Sequence, residues 1–236
     1  MTTDPLIGKY LGAFQILELI GQGGMAAVYK AMQPAMNRTV AVKVLSPQMA
    51  SNATFLARFK QEAQMIASLE HAYILPVYDL GEQDGLVYIA MRFMGFGTIQ
   101  SRLSRGPVAL RDAARWIEQI GAALDYAHQR GVVHRDVKPS NVLLDSQDNA
   151  FLADFGIAKW MAGSIQLTGS SVIGTPQYMS PEQGQGLKID GRSDEYSLAV
   201  MAYELVTGQP PFQAETPLGI VLKHVTEPLT PPADIN

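Results

Sequence analysis

Apolar and polar residues alternate from Tyr10 to Ile20 at the two-residue period of a strand half-buried in a sheet. The β-branched run Thr39-Val40-Ala41-Val42-Lys43-Val44-Leu45 predicts a second strand. Two more are expected at 74–80 and 86–91, and the five residues between them, Gly81-Glu82-Gln83-Asp84-Gly85, carry turn chemistry at hairpin spacing. The glycine-rich stretch from Gly21 to Lys30 reads as another hairpin, its second strand starting near Ala27. From Asn52 to Glu70 the period lengthens. Phe55, Phe59, Ala63, Ile66 and Leu69 recur at three- and four-residue spacing, which predicts a helix with one apolar face.

Gly95-Phe96-Gly97 reads as a hinge, and beyond it the pattern turns mainly helical. This places a boundary near Phe93 to Gly97, between an N-terminal part at 1–94 and a C-terminal part at 95–236. In the second part, Ala114, Ile117, Gly121, Leu124 and Ala127 form a stripe of mostly small residues that predicts a closely packed helix over Arg111 to Arg130. Val142-Leu143-Leu144 and Ala150-Phe151-Leu152-Ala153 are short apolar runs around the polar turn Asp145 to Asn149, and predict a small hairpin. Between Ile157 and Gly174 there is little apolar periodicity, and a mobile loop is expected. Asp194 to Gly208 has almost no polar face and must be buried, with Asp194 suited to an N-cap; a last helix begins at Pro217.

Composition narrows the class. A chain of 236 residues with 47% hydrophobic content can bury a large core in one big domain or two lobes. A formal charge of −4 argues against nucleic acid as a partner, since that binding draws on clustered Lys and Arg. The absence of cysteine rules out a disulfide framework and a thiolate metal site, and suits a reducing compartment. No stretch approaches the roughly 18 apolar residues of a membrane span, and the N-terminal region lacks the pattern of a signal peptide. A soluble, cytoplasmic chain with no membrane contact of its own is expected.

Chemistry concentrates at His134-Arg135-Asp136-Val137-Lys138-Pro139-Ser140-Asn141. An acid, two cations and an amide build a poor core and a plausible phosphoryl-transfer site. A carboxylate can accept a hydroxyl proton, a lysine can neutralise a phosphate, and an amide oxygen can hold a magnesium ion. The hairpin at 142–153 would return Asp154 beside Asn141, within one metal's reach. Other features read two ways. Gly21, Gly23 and Gly24 fit an ordinary tight turn with positive φ, or a loop whose N–H groups approach a polyphosphate. Lys43 fits an edge-strand lysine, or a phosphate contact held by Glu62 from the following helix.

Taken together in order, the glycine loop, Val40-Ala41-Val42-Lys43, His134 to Asn141, Asp154-Phe155-Gly156 and Ser180-Pro181-Glu182 resemble the catalytic blocks of a protein kinase domain. In detail the chain is similar to the bacterial serine/threonine kinases of eukaryotic type, from about Tyr10 to Thr230. The resemblance implies an α+β bilobal fold, with a small antiparallel sheet lobe carrying one helix and a larger, mainly helical lobe. It implies transfer of the ATP γ-phosphate to protein Ser and Thr hydroxyls.

The same resemblance implies roles for matching residues. Ile20, Gly21, Gly23, Val28, Ala41, Met91 and Leu143 would surround the nucleotide, and Lys43, braced by Glu62, would contact its phosphates. Asp136 would be the catalytic base, Lys138 would steady the transferring phosphate, and Asn141 and Asp154 would hold Mg2+, with Mn2+ as a substitute. Asp194 would bond the backbone of the catalytic loop. The segment 157–174 would be an activation loop controlled by autophosphorylation, with dimerisation as one route. Thr168, Ser170 and Ser171 are its candidate sites, and Arg135 would sense the phosphate. Thr175 would hydrogen-bond Asp136 or Lys138, or be a phosphorylation site itself.

Several positions depart from the family pattern. Ala26 stands where a third glycine is usual, Arg92 replaces an often acidic hinge residue, and Ala199 replaces a glycine in the central helix. The sequence ends before the last helices of the large lobe, which leaves Glu182 without its family arginine. The expectation is a fragment of a longer protein, such as the cytoplasmic domain of a membrane-anchored kinase. The alternative to an active kinase is a nucleotide-binding pseudokinase or scaffold.

Overall fold

The structure is a computed structural model that describes residues 4–24, 26–50, 52–156 and 176–235. The chain divides into two compact units, one of residues 1–70 with 75–95, the other of residues 71–74 with 96–236. The four residues from His71 to Ile74 thus belong to the second unit, where Ile74 bridges to Leu152.

The first unit is a six-stranded antiparallel sheet in the order β1 (Tyr10–Leu11), β2 (Phe14–Gln22), β3 (Ala26–Gln33), β4 (Arg38–Leu45), β6 (Leu86–Arg92) and β5 (Val77–Gln83). Its helices are α1 (Pro47–Ala50) and α2 (Ala53–Ala67). The single strand expected from Tyr10 to Ile20 is two strands, folded on each other at Gly12 and Ala13. Gly12 has φ of +55°, and a Cβ there would overlap the Tyr88 hydroxyl. Alternation through this point was real, yet a glycine beside a large ring let the chain reverse. The β5–β6 turn is also shorter than expected, because β5 runs on to Gln83 and only Asp84 (φ 52°) and Gly85 (φ 75°) make the reversal. Positive φ at both positions is what a two-residue hairpin matching the twist of its strands needs.

Strand alternation divides the sheet's faces. Val40, Val42 and Val44 pack with Phe14, Ile16, Tyr29, Ala31, Tyr88 and Ala90 in one buried cluster. Ala41 and Lys43 lie between them in sequence and therefore point the other way. Phe59, Ala63 and Leu69 from the α2 region are buried as the helical pattern required; the side chain of Phe55 lies outside the described residues.

In the second unit, α3 (Ile99–Leu103) is followed by α4 (Leu110–His128), the hairpin of β7 (Val142–Leu144) and β8 (Ala150–Leu152), then α5 (Pro181–Gly184), α6 (Gly191–Thr207) and α7 (Pro217–Thr226). The apolar stripe of α4 keeps Leu124 and Ala127 buried as expected but is offset by one residue before them: Ala113, Trp116 and Ile120 are buried, whereas Ala114 is exposed and Ile117 and Gly121 are half-buried. Trp116 and Ile120 carry most of the area, so they decide which face turns inward. Buried Gln119 shares that face because its Oε1 accepts the Ala150 N–H at 2.8 Å. The α3 helix went unread in sequence; Thr98 and Ser101 close a reciprocal capping box on its few residues.

The α6 helix is buried along most of its length, and its interior polar groups are bonded: Ser197 Oγ donates to Tyr178 O at 2.6 Å, and Glu204 accepts from the Tyr178 hydroxyl. Its N-cap is Asp190, which accepts the Arg192 N–H at 2.9 Å, and this displaces Asp194 into the first turn. Gly208, at φ 79°, ends it. Among the described residues, no helix is long and apolar enough to cross a membrane.

Candidate active site

The stretch from His134 to Asn141 follows α4 as irregular chain closed by one turn of 3-10 helix at Pro139–Asn141. Asp136 is the hub. Lys138 Nζ lies 3.0 Å from its Oδ2, and Asn141 Nδ2 donates both to that oxygen at 3.0 Å and to the Asp136 backbone carbonyl at 2.8 Å. Two of the residues singled out in sequence, Lys138 and Asn141, therefore converge on the carboxylate of a third.

Arg135 adopts φ of 66°, a left-handed conformation that costs a residue with a Cβ on the order of 1–3 kcal/mol unless its surroundings enforce it. The enforcement is visible. Asp194, 1% exposed, accepts the His134 N–H and the Arg135 N–H at 2.7 Å each. Its Oδ2 also meets His128 Nε2 at 2.8 Å, and that hydrogen bond raises the His128 pKa against the opposing effect of burial. His134 is fully buried and packs on Phe155 at 4.5 Å between ring centroids. The Asp136 N–H donates to its Nδ1, so the proton sits on Nε2 and is given to the Ala153 carbonyl at 3.0 Å. Burial pushes the His134 pKa down, outweighing the nearby carboxylates.

The β7–β8 hairpin returns the chain as its length predicted. Val142 pairs with Leu152. One residue further on, the Ala153 N–H donates to the Asn141 carbonyl at 2.9 Å, which ties the end of the hairpin to the end of the loop. Asp154 thus follows directly on a residue bonded to Asn141. It is exposed and, like Arg135, left-handed, with φ of 57°. Gly156 closes the arrangement: its N–H donates to the His134 carbonyl at 2.8 Å, and a Cβ on it would come within 2.9 Å of that oxygen.

The donor set suits a hard divalent cation. Both Nδ2 protons of Asn141 go to Asp136, which leaves Oδ1 as the amide's coordinating atom. Among the described residues no group of three or more His, Cys, Asp or Glu is arranged to hold a metal. An ion held by Asn141 and Asp154 would take its remaining oxygens from phosphate and water, which is the habit of Mg2+ bound with a nucleotide.

Five of the candidate residues of the first unit share one face of its sheet. Gly21 pairs with Val28, Val28 with Lys43, and Ala41 with Met91, so these five line adjacent rows. Ile20 is exposed near the end of β2, and Glu62 is half-buried on α2 next to buried Ala63. The glycine loop departs from one expectation: Gly21, Gly23 and Gly24 do not have positive φ. A Cβ on Gly21 would be 3.9 Å from its nearest neighbour and one on Gly23 3.8 Å away, while Gly24 faces open space. Among the described residues, neither positive φ nor crowding requires these glycines.

Leu143 lies in β7 of the second unit, bridged to Thr98. Glu182 has a partner after all: it is half-buried and accepts from the Ser193 hydroxyl, a short polar side chain doing locally what a distant arginine was expected to do. The expected loop at 157–174, with Thr168, Ser170 and Ser171, lies outside the described residues, as does Thr175. Sequence reading missed His128, Gln183 and Asp190. His128 stands in the last turn of α4, and only the fold brings it to Asp194.

Residues 14–231 match the model of the protein kinase domain. The serine/threonine-protein kinase PrkC of Bacillus subtilis is 41% identical over 222 residues, which is 93% of this chain and 34% of that protein. The serine/threonine-protein kinase PknB of Mycobacterium leprae is 38% identical over 239 residues, covering 99% of this chain and 38% of the relative. A crystal structure of the PknI kinase domain of Mycobacterium tuberculosis matches with a TM-score of 0.71 at 35% identity, over 90% of this chain and 81% of that one. The chain spans about a third of the length of the curated relatives it matches.

Proposed function

The chain belongs to the protein kinase domain family, and on that premise we propose that it transfers the γ-phosphate of ATP to serine and threonine hydroxyls of proteins. The observation that carries this reading is the convergence of Lys138 and Asn141 on the Asp136 carboxylate, with Asp154 following a residue bonded to Asn141.

Asp136 accepts the hydrogen bond of the incoming hydroxyl and aims its oxygen at phosphorus. Asn141 keeps the carboxylate from rotating, and Lys138, 3.0 Å from Asp136 Oδ2, brings a positive charge to the transferring group. In-line positioning and charge neutralisation are what a loose, metaphosphate-like transition state asks of a protein. Mg2+ or Mn2+ held by Asn141 and Asp154 would supply further neutralisation of the phosphates. In the first unit, Lys43 with Glu62 serves the α- and β-phosphates. In the same unit Ile20, Gly21, Gly23, Val28, Ala41 and Met91 serve the nucleotide; Leu143, in the second unit, is assigned to the nucleotide by the family resemblance alone.

Regulation follows from Arg135. A phosphate on Thr168, Ser170 or Ser171 would carry about −1.5 to −2 charges and pair with its guanidinium. Self-phosphorylation between two copies of the chain is the expected route, in a protein whose longer form is anchored to a membrane with this domain in the cytoplasm.

The test is incubation of the purified chain, a C-terminally extended version and Asp136→Asn with Mg-ATP and a generic protein substrate, followed by phosphopeptide mapping. Transfer by the first two and not by the third supports the reading. No transfer by any of them would leave a nucleotide-binding scaffold as the better description, and absence of phosphate between Trp160 and Thr175 would count against self-activation.

A further inference from the structure

Resting on the reading of Asp136 as the residue that orients the acceptor hydroxyl, we propose that Gln183 is a positioning residue for phosphoryl transfer, clamping the peptide between Arg135 and Asp136 from outside the catalytic loop. Gln183 sits in the short helix α5, and its side-chain amide is used at both ends. Oε1 accepts the Ser180 N–H at 2.9 Å, one half of a reciprocal capping box whose other half is the Gln183 N–H donating to Ser180 Oγ at 3.3 Å. Nε2 donates to the Arg135 carbonyl at 3.1 Å. A capping box is satisfied equally by glutamate or glutamine at this position, so the cap alone does not require an amide. The bond to Arg135 does, because only the amide supplies an N–H.

The Arg135 carbonyl is a consequential place to hold. Arg135 is left-handed, and the low-energy escape from that conformation is rotation of a neighbouring peptide plane. On its N-terminal side the peptide is fixed by Asp194 at the Arg135 N–H. On its C-terminal side the plane contains the Arg135 oxygen and the Asp136 nitrogen, and these are held from two directions: the oxygen by Gln183 and the N–H by His134 Nδ1 at 3.2 Å. A peptide unit is rigid, so two anchors at its two ends fix its orientation. The Cα of Asp136 is part of that unit, and the direction of its carboxylate follows. Gln183 thus couples the segment after the activation loop to the carboxylate that meets the acceptor.

Gln183→Glu separates the two tasks, since it keeps the cap acceptor and replaces the donor with an oxygen facing the Arg135 carbonyl. Gln183→Met removes the donor without adding a charge. Both are expected to lower kcat by about 10- to 100-fold, the effect of a sub-ångström to ångström misplacement, with KM for ATP within about twofold. Amide hydrogen exchange should rise in the peptide covering 134–138. The Glu variant should regain activity relative to wild type as the pH is lowered, because a protonated carboxyl regains a donor; the Met variant should not. A kcat within about twofold of wild type in both variants overturns the clamp, as does a loss of kcat with unchanged exchange at 134–138. Failure of both the wild-type chain and its C-terminally extended version to transfer phosphate, or Asp136→Asn that transfers it normally, overturns the kinase reading itself and the inference with it; that failure is seen without either Gln183 variant.

Discussion

The side-chain amide of Asn141 spends its nitrogen on Asp136, donating to the backbone carbonyl at 2.8 Å and to Oδ2 at 3.0 Å. One residue thereby fixes both the main chain and the carboxylate of its neighbour, and turns its own oxygen to other work. Lys138 and Asn141 both meet Oδ2, so in Asp136→Asn the amide oxygen takes that place and its NH2, a donor, stands where the incoming hydroxyl requires an acceptor. The substitution should lower phosphoryl transfer by about 10²- to 10⁴-fold, the range for removal of a positioned acid–base group, while ATP affinity survives. Transfer to a protein substrate and titration with a fluorescent nucleotide analogue check the two halves. Nucleotide affinity lost in step with activity would contradict the division of labour between Asp136 and the nucleotide residues.

Asp194 has the most to lose on substitution. It is buried, holds two backbone N–H groups of the loop and faces His128. Asp194→Ala leaves those donors without an acceptor and removes the enforcement on the left-handed Arg135. The expected cost is about 3–5 kcal/mol, the scale for breaking a buried charged pair. Denaturant unfolding measures it; a loss under about 1 kcal/mol would mean that the loop finds other acceptors.

His128 gives a pH dependence with a definite sign. Its folded pKa is raised above the ordinary 6.5 by the Asp194 hydrogen bond. Its protonated form therefore stabilises the fold in full below about pH 6.5, and that contribution is lost as the pH rises through the raised folded value. His71, His134 and His224 are lowered by burial and act in the opposite sense, so the wild-type curve alone mixes the signs. The difference between wild type and His128→Gln isolates the term. Glutamine keeps a neutral donor near Asp194, and the stability gap between the two proteins should be widest in mild acid and narrow toward alkaline pH. A gap that widens with rising pH would reverse the assignment.

Much of this was written in the sequence, and the parts that were not share a cause. Strand alternation at Val40 to Val44 and the helical period through Phe59 and Ala63 are local patterns, and each element formed where its pattern lay. The stretch from His134 to Asn141 was legible because its residue types are costly to bury without a use. Gly12 defeated the pattern because its positive φ reverses the chain where the alternation runs on unbroken, and the Tyr88 hydroxyl that leaves no room for a Cβ there is distant in the chain. The first half of the stripe on α4 slipped by one because its inward face there is chosen by Trp116 and Ile120, whose size counts for more than the regular spacing of small residues, while Leu124 and Ala127 lie where the spacing put them. His128, Gln183 and the bond from Ser193 to Glu182 were silent for the same reason: each side chain meets its partner only after the chain has folded.

Gly156 provides a test of how tightly the metal-side segment is fitted to the loop. Its N–H bonds the His134 carbonyl at 2.8 Å, and a Cβ in its place would stand 2.9 Å from that oxygen and 3.6 Å from the Cβ atoms of Arg135 and Asp136. The close neighbour is backbone, held in turn by Asp194 at the His134 N–H, so it cannot swing aside as a flexible side chain would. Gly156→Ala should therefore cost about 1–3 kcal/mol through overpacking. The strain falls on the residues that set Asp136, so kcat should drop by more than the fraction unfolded explains. Thermal melts and initial rates on the same samples separate the two effects. Unchanged melting with full activity would show that the loop can move away from the added methyl, and that the contact between Gly156 and His134 is looser than the geometry implies.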